Sequence, residues 1–108
     1  MSGKTPIADR GGAELRLLQF LCGAKAPVAA RKKITAMLAV YSWSSADRTI
    51  FFECICELLE QRSARIFEEL PAAVTRRGFP DMNCEVLATD SMLKPSAALV
   101  LARALLHL

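Results

Sequence analysis

The chain has 108 residues, of which 53% are hydrophobic and 23% are charged, and its formal net charge at pH 7 is +3. This length predicts a single domain, because it is sufficient for one hydrophobic core but not for a second. The longest apolar runs are interrupted by Arg, Lys or Glu well before the roughly 20 residues that a membrane span needs. Residues 1–12 lack the hydrophobic centre of a secretory signal. We therefore expect a cytoplasmic protein without a membrane partner.

The composition favours helices over strands. Alanine and leucine supply most of the apolar residues, whereas strands prefer β-branched and aromatic side chains. Five glycines and five prolines punctuate the chain, most of them between apolar periodic segments. These features predict an all-α fold, a compact single-domain bundle of about six short helices. We assign the domain to residues 13–108 and expect residues 1–12, rich in glycine and small polar residues, to form a flexible arm.

The first two helices are predicted from apolar residues at helical spacing. The first spans residues 13–22 and presents its leucines to the core. The second begins near Pro27, because proline suits the first turn of a helix, and ends near Tyr41. We place three polar residues of the first helix on its solvent-facing side: Glu14, Arg16 and Gln19.

The third helix has the clearest start and the clearest pattern. Ser44 is predicted to be its N-cap, with Asp47 complementing the free amides of the first turn. An apolar face then continues to Leu59. The opposite side carries three glutamates at spacings of i, i+4 and i+7: Glu53, Glu57 and Glu60.

The second half of the chain predicts shorter elements. Ser63 is expected to cap a fourth helix that breaks near Leu70, because the ring of Pro71 removes an amide and restricts the preceding residue. A helical segment then continues to Gly78. Asp81 is a plausible cap for a short helix through residues 86 and 87. The last helix, from about residue 95 to residue 106, is almost wholly apolar and must be covered by the fold or by a partner.

Three surfaces are candidates for docking a protein partner or a second copy of the chain. The first is the apolar last helix, the second is the glutamate stripe of the third helix, and the third is a basic cluster in the second helix. Their residues are, in that order, Leu101, Leu105 and Leu106; Glu53, Glu57 and Glu60; Arg31, Lys32 and Lys33. A solvated face is the alternative interpretation of both charged groups.

An alternative function is nucleic-acid binding through basic residues. It would use residues 31–33 together with Arg76 and Arg77, and it would be strongly salt-dependent. Tyr41 and Trp43 could then stack on bases, although aromatic residues beside a helix cap more often anchor the core. The basic cluster lacks interleaved aromatics, so protein interaction is the primary hypothesis.

Catalysis is not predicted from this sequence. No nucleophile with its base, no metal-ligand cluster and no phosphate loop is recognisable, so we expect a protein that is not an enzyme and needs no cofactor, metal or small-molecule substrate. Cys54 and Cys56 point about 200° apart on a helix and cannot share an ion. We expect buried free thiols, with a metal or redox role as the alternative. His107 lies next to the chain end, where a solvated position is expected.

The segment 41–59 begins with an aromatic-x-aromatic element, Tyr41 and Trp43, and a short polar stretch. These lead into a helix that opens with Arg48, Ile50 and Phe51. This pattern resembles the N-terminal domain of DnaB-type replicative helicases and the related helicase-binding domain at the C-terminus of bacterial primases. In that family a His-Arg-x-Ile-Phe/Tyr signature opens the helix and an Ile-x-x-Leu follows. Asp47 stands here in place of the histidine. The residues that carry the resemblance are Tyr41, Trp43, Arg48, Ile50, Phe51, Ile55 and Leu58, together with the opening Glu14-Leu15-x-Leu17-Leu18.

The resemblance implies a compact helical bundle that binds protein partners and does not catalyse a reaction. It further implies a relative of the docking domains of replication complexes, which we expect to stand alone.

Overall fold

The computed structural model of the chain describes residues 9–88 and 93–107. This part of the chain contains α-helices and one short 3-10 helix, without a β-strand, so the predicted all-α class is confirmed. Five α-helices are present in place of about six. They are α1 (Arg10–Cys22), α2 (Val28–Leu38), α3 (Ala46–Glu60), α4 (Ile66–Arg76) and α5 (Pro95–Leu106), with the 3-10 helix Cys84–Leu87 between α4 and α5.

Helix α1 lies at the centre of the packing. It contacts α3, α5 and the 3-10 helix, while α4 packs mainly on α3 and α2 packs on α5. Leu17, Leu18 and Leu21 of α1 are completely buried. These leucines pack against the apolar faces of the other helices. The periodicity of the apolar residues predicted the helices because each helix buries one apolar face in this core. The completely buried residues from those faces include Ile34, Leu38, Cys54, Ile55, Leu70, Ala98 and Ala102.

The start of α1 differs from the prediction. The helix begins at Arg10, so residues 10–12 belong to α1 and not to a flexible arm, and residues 1–8 of that arm lie outside the described residues. The Arg48 guanidinium donates a 2.6 Å hydrogen bond to the Gly11 carbonyl. A Cβ on Gly11 would lie 3.2 Å from Arg48 Nη1, so glycine permits this close approach. The contact holds the first turn of α1 despite the low helix propensity of its glycines.

Other helix ends are shifted by a few residues. Helix α2 ends at Leu38, not near Tyr41. The N-cap of α3 is Ser45, whose hydroxyl accepts from the Arg48 amide at 3.3 Å, and the prediction of Ser44 was one residue early. The reason is that the Ser44 hydroxyl donates to the Glu14 carboxylate.

Two further predicted caps are wrong. The N-cap of α4 is Arg65, which makes no side-chain cap, and the hydroxyl of Ser63 accepts from the Arg65 amide before the helix begins. Asn83, and not Asp81, caps the 3-10 helix by accepting from the Glu85 amide at 3.0 Å. Helix α4 therefore begins without a side-chain cap, whereas the 3-10 helix is capped two residues after the predicted Asp81.

Helix α4 continues through Pro71, so the predicted break near Leu70 is wrong. A proline inside a helix costs about 3 kcal/mol because it removes one backbone hydrogen bond and crowds the preceding turn. Leu70 and Val74, on either side of the proline, are buried against the rest of the fold while Pro71 itself faces solvent. Tertiary packing therefore holds the helix together until Gly78, whose φ of +95° ends it as predicted.

Across residues 9–88 and 93–107, no helix has the length and the apolar character that passage through a bilayer requires.

Neighbouring leucines of α5 provide a test of the packing. Leu105 is 2% exposed and Leu106 is 37% exposed. We expect Leu105→Ala to lower the free energy of unfolding by about 3 kcal/mol, because it leaves a cavity in the core. We expect Leu106→Ala to change it by less than about 0.5 kcal/mol. Urea unfolding followed by circular dichroism measures both, and equal losses would contradict the orientation of α5.

Candidate functional site

A buried carboxylate joins α1 to the segment that leads into α3. Glu14 is 0% exposed, although the sequence placed it on the solvent side of the first helix. It shares one helix face with Leu17, Leu18 and Leu21, at spacings of i+3, i+4 and i+7. This spacing was the signal available in the sequence. It was missed because a glutamate is expected at the surface unless a partner satisfies its charge.

The partners of Glu14 come from residues 41–48. Its Oε1 accepts from the Ser44 hydroxyl and from Arg48 Nη1, the latter at 3.0 Å. Its Oε2 accepts from the Tyr41 hydroxyl and, at 3.0 Å, from the Ser44 amide. Arg10 adds a further positive charge, with Nε 3.6 Å from Oε2. Both carboxylate oxygens are therefore saturated with donors, which is how a buried charge is tolerated.

The chemistry of this carboxylate is that of a structural anchor. Burial alone raises the pKa of Glu14, but hydrogen bonds from Ser44, Tyr41 and Arg48 outweigh burial and hold that pKa below its usual value. A general base or acid must reach a substrate proton, and the oxygens of Glu14 have neither exposure nor a free acceptor direction. The cluster orients two chain segments and offers no reactive group.

Aromatic side chains pack beside the same cluster. The rings of Tyr41 and Trp43 meet edge to face with centroids 5.0 Å apart, and Trp43 lies 5.1 Å from Phe52 of α3. The Arg10 guanidinium lies over the Tyr41 ring, 5.3 Å from its centroid. Both Tyr41 and Trp43 are half-buried against the core. The geometry is that of core anchors, because the rings already contact protein groups and not an open stacking surface.

The predicted acidic stripe is largely neutralised from within the fold. Arg77 Nη1 lies 2.9 Å from Glu53 Oε1, and its Nη2 lies 3.2 Å from Glu57 Oε1. Arg76 lies 3.6 Å from Glu57. The two arginines were predicted to contact nucleic acid and the glutamates to contact a partner. The structure brings both groups together as ion pairs between α3 and the end of α4, and Glu60 is the one glutamate of the stripe outside this network.

The predicted basic cluster has one buried residue and two exposed residues. Arg31 is 4% exposed, and its guanidinium donates to the Gly23 carbonyl at the end of α1. Lys32 and Lys33 are exposed. Arg31 therefore packs against the end of α1. Of the other residues in the nucleic-acid hypothesis, Lys32 and Lys33 are exposed, whereas Arg76 and Arg77 are paired with glutamates of α3.

The predicted apolar surface on α5 is also divided. Leu105 belongs to the core, which removes it from a docking surface, whereas Leu106 is exposed and Leu101 is half-buried. Val100, which was not predicted as a docking residue, is 59% exposed. The outward side of α5 thus includes Val100 and Leu106 but not Leu105, and the exposed Arg103 lies between its two apolar residues.

Surface cavities accompany these groups. One of about 430 Å³ lies between α2 and α3 and is lined partly by Lys32, Cys56 and Glu60. Two others measure about 240 and 290 Å³. In the part of the chain that the structure describes, no three residues among His, Cys, Asp and Glu are placed to hold a metal ion.

The four cysteines are free. Cys22, Cys54 and Cys84 are buried as expected, and Cys56 is half-buried. Burial raises the pKa of Cys22 to about 12 and that of Cys56 to about 11. Because the thiolate is the nucleophilic form, these thiols are poor nucleophiles at neutral pH. They act as small apolar residues in the packing.

The Glu14 cluster makes stability depend on pH. The pKa of Glu14 is lowered in the folded state. The stabilisation that Glu14 provides is therefore present above its unfolded pKa near 4.5, and it is lost as pH falls through its folded pKa. We expect the free energy of unfolding of the wild type to fall between about pH 5 and pH 3 more steeply than that of Glu14→Gln. At neutral pH we expect Glu14→Gln to be less stable by about 2 kcal/mol. Urea unfolding at each pH measures the free energy of unfolding of both proteins. An equal fall of that free energy with pH in the two proteins would contradict this role of Glu14.

Arg31 provides a second test, because its buried charge faces no carboxylate among the described residues and its Nε lacks a hydrogen-bond partner there. The Gly23 carbonyl would keep the Ala26 amide as a donor if the arginine were removed. We therefore expect Arg31→Met to have an equal or higher Tm than the wild type, since the apolar side chain avoids the cost of burying the charge. Lys33→Met is the exposed control and should leave Tm unchanged. A lower Tm for Arg31→Met alone, measured by thermal circular dichroism, would contradict this account.

Comparison of the chain with protein-family models, with curated proteins and with solved structures gave no match in any of the three.

Proposed function

We propose that this chain is a non-catalytic helical protein-interaction module whose docking surface is the outward side of α5. The observation that carries the proposal is the exposure of apolar side chains on this helix. Val100 is 59% exposed and Leu106 is 37% exposed, and Leu99 and Leu101 are only half-buried. Arg103 is the only charged residue of α5. An apolar helix side facing water is typical of a surface that a partner covers.

The partner in this proposal is a different protein and not a second copy of the chain. A two-fold contact through α5 would place the same surface of both copies face to face. Arg103 of each copy would then approach its equivalent, together with the exposed lysines of the neighbouring α2. Like charges oppose such a contact, whereas a partner of different charge avoids the repulsion.

The state of the buried carboxylate supports the non-catalytic part of this proposal. Glu14 is the buried acid among the described residues, and all of its nearest donors belong to the chain itself. Glu53 and Glu57 of α3 pair with Arg77, just after α4. These groups stabilise helix packing, which is the requirement of a rigid docking module.

The resemblance to docking domains of replicative helicases and primases supports the same class of function. Three residues that carry the resemblance, Glu14, Tyr41 and Arg48, form one hydrogen-bonded network. These three residues together hold α1 against the segment that leads into α3. We therefore propose that the chain is a relative of these docking domains, with a replication protein as its candidate partner.

Site-specific photo-crosslinking in the native cell tests the docking surface. Benzoylphenylalanine in place of Val100 on α5 should give an adduct with a protein of a different mass, because the partner covers this position. Benzoylphenylalanine in place of Ala72, which is exposed on α4, is the matched control and should not give that adduct. Circular dichroism should show that both variants are folded.

The other outcomes count against the proposal. An adduct of twice the mass of the chain would indicate self-association through α5. The same adduct at both positions, or no adduct at position 100, would remove the α5 surface as the site of interaction.

A further inference from the structure

We infer that the segment docking on this chain is an acidic amphipathic helix that lies along α5 and α2. The inference rests on the proposed function and specifies the chemistry of the partner. It is carried by the distribution of charge over the fold, by the pairing of those charges, and by the exposed apolar residues on the same two helices.

One half of the molecule carries basic residues without any acidic residue. It consists of residues 15–46 and 93–107, which include most of α1 and all of α2 and α5. Helix α5 packs on both α1 and α2, so these segments form one contiguous body. Its basic residues are Arg16, Lys25, Arg31, Lys32, Lys33, Lys94 and Arg103.

The other half, residues 47–88, carries more acidic than basic residues, and most of its arginines are paired. Four of its arginines, Arg48, Arg65, Arg76 and Arg77, lie in ion pairs. In the basic half, by contrast, no ion pair with a described carboxylate involves the lysines or Arg103. The positive charge of that half is therefore available to a partner.

Exposed apolar side chains lie in the same half of the molecule as this unpaired charge. Val28 on the first turn of α2 is 57% exposed, and Val40, just after the end of α2, is 85% exposed. On α5, Val100, Arg103 and Leu106 follow one another at a spacing of three, which places them next to each other along the helix surface. The row alternates apolar, basic and apolar side chains. A helix with leucines at i, i+3, i+4 and i+7 and with flanking acidic residues is complementary to such a surface.

Nucleic acid fits this surface less well than a peptide. Single-stranded nucleic acid is bound through aromatic platforms as well as cations. Tyr41 and Trp43 are engaged in packing, and the exposed aromatic residue of the described chain, Phe79, lies in the acidic half. An anionic membrane also fits less well, because Arg103 lies between Val100 and Leu106, where an interfacial helix would insert its apolar side.

Two synthetic peptides test the inference. Both carry the same helical pattern of leucines and a fluorescein label, and they differ only in having glutamate or lysine at the flanking positions. Fluorescence anisotropy with the full chain at about 50 mM salt should show at least about tenfold tighter binding of the acidic peptide. That affinity should fall at about 500 mM salt, where exposed charges are screened.

Matched charge reversals locate the contact. Arg103→Glu on α5 should weaken binding of the acidic peptide at least about tenfold, because it replaces an attraction with a repulsion. Arg76→Glu makes the same charge change at an exposed site on α4 and should leave the affinity within about twofold of the wild type. Circular dichroism should show that both variants are folded.

Several results would overturn the inference. These are equal binding of the two peptides, binding of neither, or equal weakening by the two substitutions. Tighter binding of a labelled oligonucleotide or of phosphatidylserine vesicles than of the acidic peptide would assign the surface to a different ligand. If crosslinking at position 100 captures a protein while the acidic peptide does not bind, the interaction module stands and only the acidic helix is rejected.

Discussion

The structure depends on the buried carboxylate of Glu14. It accepts from side chains and one amide of residues 41–48, and this segment leads directly into α3. The same Arg48 that pairs with Glu14 also holds the Gly11 carbonyl at the start of α1. One charge therefore fixes the position of α1 relative to α3. Helix α5 packs on α1, so the placement of the outward surface also follows from this anchor.

Apolar periodicity made most of the fold predictable. The faces of α1, α3 and α5 repeat at helical spacing, and the central elements were found to within a few residues. The failures occurred where tertiary contacts override local preference. Pro71 normally ends a helix, but burial of Leu70 and Val74 on either side keeps α4 continuous. Glu14 was placed in solvent because local sequence does not show that donors from 30 residues away surround it.

The candidate surfaces were harder to predict for a geometric reason. Arg77 reaches Glu53 and Glu57 across separations of 24 and 20 residues, and no local spacing reveals such a contact. Leu105 and Leu106 are chemically identical neighbours, yet one enters the core and the other faces solvent, since consecutive residues of a helix point about 100° apart. In a helix as apolar as α5, the sequence alone does not indicate which side meets α1 and α2. The distribution of charge over the surface likewise depends on how the helices pack together, so local sequence does not reveal it.

The aromatic contacts of residue 43 give the molecule an internal optical reporter. Trp43 is the sole tryptophan of the chain, and its ring lies between Tyr41 and Phe52, where α3 begins beside the Glu14 anchor. No hydrogen-bond acceptor among the described residues faces its buried Nε1. Water that reaches this indole would supply an acceptor and shift the fluorescence emission of Trp43 to longer wavelength. Loosening of the junction between α1 and α3 is therefore observable in the unlabelled protein, separately from any loss of helix content.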